Sequence, residues 1–167
     1  MSMIGNFKKS SLEEVEALKN LIKLSPHEFD EFFYHDPLII NIDKTWQVLN
    51  YLVSGNKDLG GNISQDPLAN VIGAGDIVID KDLAYGPASF LPPAEVKKVW
   101  SAIQNITKAD LKKRFIPREL GGMYPEVEIT AANQDEEFGY FTQSWDDIKK
   151  LYQAAAAEDK GIFFWLS

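Results

Sequence analysis

The stretch from Ile42 to Gly55, IDKTWQVLNYLVSG, constrains the fold more than any other part of the chain. On a helical wheel at about 100° per residue, Ile42, Trp46, Leu49 and Val53 share one stripe. Val48 and Leu52 widen it to an apolar arc of roughly 160°, while Asp43, Gln47, Asn50 and Ser54 take the other side. Such an arc exceeds a single helix–helix seam, so this helix is expected to pack against a sheet and other helices together. Gly55 is its natural stop, because only glycine adopts φ > 0 there without steric cost.

Around this helix the chain punctuates itself clearly. Met3 to Phe7 reads as an edge strand or an ordered lead-in. Ser10 or Ser11 caps a helix running to about Leu24, with Glu13 and Glu14 favourable in its first turn and Leu12, Val15, Leu18 (or Leu21) and Ile22 as its buried stripe. Ser25-Pro26-His27-Glu28 has the form of a capping box with proline first, opening a helix that carries Phe29, Phe32 and Phe33 and ends by Asp36-Pro37. Asn56 to Asn62 is a polar, glycine-rich surface loop. Asp66-Pro67 opens a short helical turn, Gly73-Ala74-Gly75 breaks it, Ile77-Val78-Ile79 has the length of a short strand, and Ala84 to Leu91 is extended with a turn at Gly86-Pro87.

Pro92-Pro93 starts a helix striped by Val96, Val99, Trp100, Ile103 and Ile106, and Thr107 to Asp110 caps a shorter one holding Leu111 and Phe115. Met123 to Val127 is extended or turn structure around Pro125. One long helix is expected from about Glu136 to Glu158, turning Phe138, Phe141, Trp145, Ile148 and Leu151 inward. Ile162 to Leu166 closes the chain as an apolar run without alternation, the mark of a strand covered on both faces. These elements predict a single α+β domain over residues 1–167, with several helices on a small mixed sheet that includes the C-terminal strand.

Charge narrows the function classes. The chain carries 25 Asp and Glu against 17 Lys and Arg, a net charge of −8, which argues against a nucleic-acid partner. Its basic residues gather once, at Lys108, Lys112, Lys113, Arg114 and Arg118, interrupted by Asp110 and Glu119, as on a solvated helix face. There is no cysteine and no stretch long and apolar enough for a membrane span, so the expected location is the cytoplasm. An acidic surface chiefly keeps a protein soluble, and it also suits a basic protein partner.

No catalytic spacing stands out. Ile72-Gly73-Ala74-Gly75 offers two thirds of a dinucleotide fingerprint, without its third glycine, and reads as a turn. Asp76, Asp80 and Asp82 lack the spacing of a calcium loop, and His27 and His35 have no companion ligands, so neither a metal nor a cofactor is expected. Three places remain. Asp43 and Lys44 lie in the first turn of the organising helix beside inward-facing Trp46, where Asp43 either caps the helix or rims a pocket. Tyr85-Gly86-Pro87 and Tyr124-Pro125 each set a tyrosine on a rigid turn. Asp43, Lys44, Trp46, Tyr85 and Tyr124 are therefore the candidate ligand-binding residues.

Taken in order, INIDKTWQVLNYLVSG, DPLANVIGAG, LAYGPASFLPPAEV, MYPEV and the closing GIFFWL resemble the YfbM-like family of uncharacterised bacterial proteins. The resemblance implies one α+β domain, bacterial and cytoplasmic, and brings no reaction and no catalytic residues. Two functions follow as expectations. The first is a non-catalytic acidic interaction domain, of the immunity or accessory kind. The second is a small-molecule-binding domain or enzyme with Asp43, Tyr85 and Tyr124 lining one pocket.

Overall fold

The computed structural model describes residues 2–167, and the side chains of all but 22–24 and 26 among them. Four strands form one sheet in the order β2-β1-β4-β3, where β1 is Gly5–Ser10, β2 Ile40–Asn41, β3 Ser89–Leu91 and β4 Gly161–Leu166. Every pairing is antiparallel, so the α+β expectation holds while the sheet is not mixed. The closing run GIFFWL lies between β1 and β3 as an interior strand, as its unbroken apolarity predicts.

Covering both faces explains that composition. Phe7, Leu91, Ile162 and Phe164 point to one side, into the large core built with α3 (Trp46–Ser54), α4 (Pro93–Ile103) and α8 (Trp145–Ala157). Phe90, Phe163 and Trp165 point to the other, into a smaller core with α1 (Leu12–Leu24), α2 (Pro26–Asp30) and the π-helical turn Glu31–His35. Phe33 meets Phe163 and Trp165 edge-on there, with ring centroids 5.5 and 5.1 Å apart.

The expected organising helix sits in the large core. A 3₁₀ turn, Asp43–Thr45, leads into α3, and Gly55 closes it at φ 81°. Its polar side is not solvated as the wheel suggests. Asn50 is buried, and its amide donates to the carbonyls of Asn56 and Asp58, so the 56–62 loop covers it. Gly5 passes so close to this helix that a Cβ there would meet Ile42 Cγ1 at 2.9 Å.

Several boundaries differ from expectation. The Met3–Phe7 strand is no edge: β1 runs to Ser10 between β2 and β4. Of the α1 stripe, Val15 and Leu18 are buried and Leu21 packs on the small core, but Leu12, in the first turn after β1 ends, is exposed. The expectation for Ile22 falls outside the described side chains. Ser11 and Glu14 form a full capping box. Ser25 forms none, because its backbone is engaged in closing α1, its N–H donating to Leu21.

Ile77–Ile79 is not a strand: only Asp76 bonds to the sheet, as an isolated bridge to Phe90. Gly75 permits that approach, with φ 149° and a Cβ position that would fall 2.5 Å from the Phe90 carbonyl carbon. The long helix of residues 136–158 is two, α7 (Gln134–Thr142) and α8. The Thr142 hydroxyl donates to the Phe138 carbonyl, a back-bond that weakens helical continuation, and Asp146 and Asp147 then favour a new N-terminus. The remaining helices, α5 (Lys108–Lys112) and α6 (Pro117–Leu120), are short, and Thr107 caps α5 in the expected box with Asp110.

Candidate functional site

Asp43 does not cap α3. It sits at φ 52°, a left-handed conformation that Asp tolerates better than most residues, with its N–H donating to Asn41 Oδ1 at 2.8 Å. This geometry turns the carboxylate away from the helix start and toward α7, where the Tyr140 hydroxyl donates to it at 3.0 Å. Burial and the bond to Asp43 push the Tyr140 hydroxyl up to about 12, and nearby Tyr124 adds to the rise. Tyr140 stays protonated at neutral pH and acts as a donor, not a base. Lys44 follows in the same turn, half-buried.

Trp46 and Tyr124 form the adjoining wall. Their rings stack with centroids 5.5 Å apart, and the Tyr124 backbone N–H donates to Gln47 Oε1. Both polar ends are engaged on the same residue of the chain's own N-terminal segment. The Met3 N–H donates to the Tyr124 hydroxyl at 2.8 Å, and the Trp46 indole N–H donates to the Met3 carbonyl at 3.1 Å. The structure thus brings Asp43, Lys44, Trp46 and Tyr124 together around Tyr140, and the Met3 backbone bridges the Trp46 indole and the Tyr124 hydroxyl.

Tyr85 is elsewhere. It lines a notch of about 200 Å³ at the end of β3, with Leu59, Gly61, Gly73, Ile77, Pro87, Ser89 and Phe164 to Leu166, and shares no hydrogen bond with the Asp43 group among the described residues. Ile77 and Tyr85 are exposed at its rim, 51% and 36%, beside the exposed carboxylates Asp76, Asp80 and Asp82. The sequence reading missed Tyr140, Asn41 and Ile77. Tyr140 reaches Asp43 across 97 positions, which no local pattern signals, whereas an apolar Ile77 between turn carboxylates was a usable hint.

The basic run is tied to the protein itself. Lys108 pairs with Asp146, Lys112 with Asp135 and Lys113 with Asp110, and Arg114 donates to the last carbonyls of α3, Leu52 and Val53. Among the described residues no group of three His, Cys, Asp or Glu is placed to hold a metal. No described helix is long and apolar enough to cross a membrane.

Comparison with known proteins fits this architecture. Residues 1–165 match the family described as Domain of unknown function (DUF1877). The chain belongs to that family. Its fold is similar to the crystal structure of a protein of unknown function, YfbM from Escherichia coli, with a TM-score of 0.71 at 16% identity over 99% of this chain and 100% of that one. No curated protein matches the chain. The family and the fold are thereby shown, and the residues must carry the functional argument.

Proposed function

We propose that this DUF1877 domain is a non-catalytic interaction domain that recognises a basic protein partner, in the manner of an immunity or accessory factor. The observation that carries the reading is the Asp76–Tyr85 segment, where exposed Ile77 and Tyr85 line one notch, Asp76, Asp80 and Asp82 are exposed along the same stretch of chain, and the intervening Lys81 is paired with Asp30. Apolar anchors rimmed by one sign of charge suit a partner that brings apolar side chains flanked by Lys or Arg. The excess of eight negative charges supplies long-range attraction. A small-molecule pocket walled by Asp43, Tyr124 and Trp46 is less favoured, because Met3 and Tyr140 engage its polar groups.

Affinity capture from the native host tests the reading. The wild-type domain is expected to retain a basic protein whose retention weakens steeply between low and high salt. The double variant Asp76→Lys, Asp80→Lys is expected to lose it. Equal capture by the charge-reversed protein would refute the reading.

A further inference from the structure

We infer that the partner docks at this notch as an extended segment, adding one residue to the sheet beside Leu166. This rests on the interaction-domain reading and gives it an address.

Strand phase sets which neighbour each residue of β4 can bond. In an antiparallel ladder, successive residues turn their backbone groups to opposite sides. Ile4 and Ser167 exchange both backbone bonds, at 2.8 and 3.0 Å. Odd-numbered residues of β4 therefore bond toward β1, and even-numbered ones face β3. Leu91 meets Ile162 and Ser89 meets Phe164. For Leu166 the same register points to Pro87, which has no N–H to give. Neither the N–H nor the carbonyl of Leu166 has a hydrogen-bond partner among the described residues.

The notch opens at this unpaired position, lined by Pro87, Ser89 and Leu166. At about 200 Å³ it falls short of the usual range for a small-molecule pocket and suits a single side chain. Trp165 also lines it.

The sheet already uses the same device once. Asp76 exchanges two bonds with Phe90 outside β3, at 3.0 and 2.9 Å, as a single-residue addition. A guest residue could exchange two bonds with Leu166 in the same way, with its apolar side chain between Ile77 and Tyr85. Lys or Arg beside it would face the exposed carboxylate of Asp76, next in the chain to Ile77 at the rim. One ligand type, an extended basic peptide, then answers the open backbone, the apolar walls and the charge together.

Titration of the ¹⁵N-labelled full chain with an end-blocked heptapeptide, Lys-Leu-Lys-Val-Lys-Leu-Lys, tests this. The Leu166 amide signal is expected to shift, and Leu166 amide exchange to slow at least tenfold at saturation. Peptide N-methylated at the central valine, or with Glu replacing every Lys, is expected to bind at least tenfold more weakly. The exposed-site variants Ile77→Asp and Tyr85→Ala are expected to weaken binding by a similar factor. No binding, or binding that leaves Leu166 exchange unchanged, overturns the docking mode. If capture of a basic partner remains sensitive to Asp76→Lys, Asp80→Lys in that case, the interaction-domain reading stands and only the strand addition falls. If capture ignores charge reversal as well, both fall.

Discussion

The two faces of the sheet are both covered by apolar residues, but β1 contributes opposite chemistry to them. On the large face β1 contributes Phe7, whose ring lies 4.9 Å from that of Phe164, and the surrounding residues are almost wholly apolar. On the small face the same strand contributes Asn6, Lys8 and Ser10, all buried. Each is satisfied by a partner distant in the chain or in the following helix. Asn6 donates to Ser167 and accepts from Asn41, and the Ser10 hydroxyl donates to Glu14. The Lys8 ammonium donates to the Phe32 carbonyl at 3.1 Å, pairs with Asp36 at 2.6 Å and lies over the Phe32 ring. The large face therefore supplies bulk hydrophobic stabilisation. The small face supplies less, and ties α1 and the Glu31–His35 turn to β1 through directional bonds.

The largest expected effect lies on the large face. Trp46→Ala removes a buried indole and its bond to Met3, and is expected to cost about 3–5 kcal/mol in urea melts. A loss below about 1 kcal/mol would displace α3 from the centre of the fold. On the small face, Lys8→Met removes the ammonium shared by the Asp36 carboxylate and the Phe32 carbonyl, and is expected to cost about 1–3 kcal/mol. The double variant Lys8→Met, Asp36→Asn is expected to recover part of that cost, since an uncompensated carboxylate is then absent. Non-recovery would mean that packing, not charge, sets the contribution of Lys8. Smaller still, Tyr140→Phe deletes one half-buried bond to Asp43 and is expected to cost about 0.5–1.5 kcal/mol.

Asp36 and Glu14 on the small face and Tyr140 on the large one are also expected to respond to opposite ends of the pH scale. Burial works against ionisation of Asp36 and Glu14, but Lys8 holds the first below the usual carboxylate range, and the Ser11 N–H and Ser10 hydroxyl hold the second below it. Unfolded chains take up these protons first as pH falls. The stabilisation is thus full above about pH 5 and lost progressively below about pH 4. Tyr140 behaves inversely. The folded hydroxyl keeps its proton to about 12, whereas an unfolded tyrosine loses it near 10, so its contribution is full below about pH 10 and lost as pH rises further. Melts of wild type and Tyr140→Phe that converge between pH 10 and 12 bear this out, and a gap that persists to pH 12 contradicts it.

The same contrast explains what the sequence could reveal. GIFFWL declares itself an interior strand because both its faces are apolar. GNFKKS does not, since the partners of its buried Asn, Lys and Ser come from residues up to 161 positions away. Periodicity located α3 and α4, whose buried Val96, Val99 and Ile103 repeat at helical spacing. It carried the last helix through Gln143–Ser144, where a threonine back-bond rather than a proline or glycine makes the break. Of the candidate site, Asp43, Lys44, Trp46 and Tyr124 proved to be neighbours, but Tyr85 belongs to a second locus. No spacing reveals that the Met3 backbone bridges Trp46 and Tyr124.

The open position on β4 is the feature on which the docking account turns, and native-state amide exchange in the free protein reads it directly. Trp165 bonds toward Asn6 and Ser167 bonds to Ile4, so both amides are expected to be protected, while the Leu166 amide between them exchanges at least tenfold faster. Simple fraying from the C-terminus would give the opposite order, with Ser167 fastest. Protection of Leu166 equal to that of Trp165 would show the edge already closed and would contradict the account.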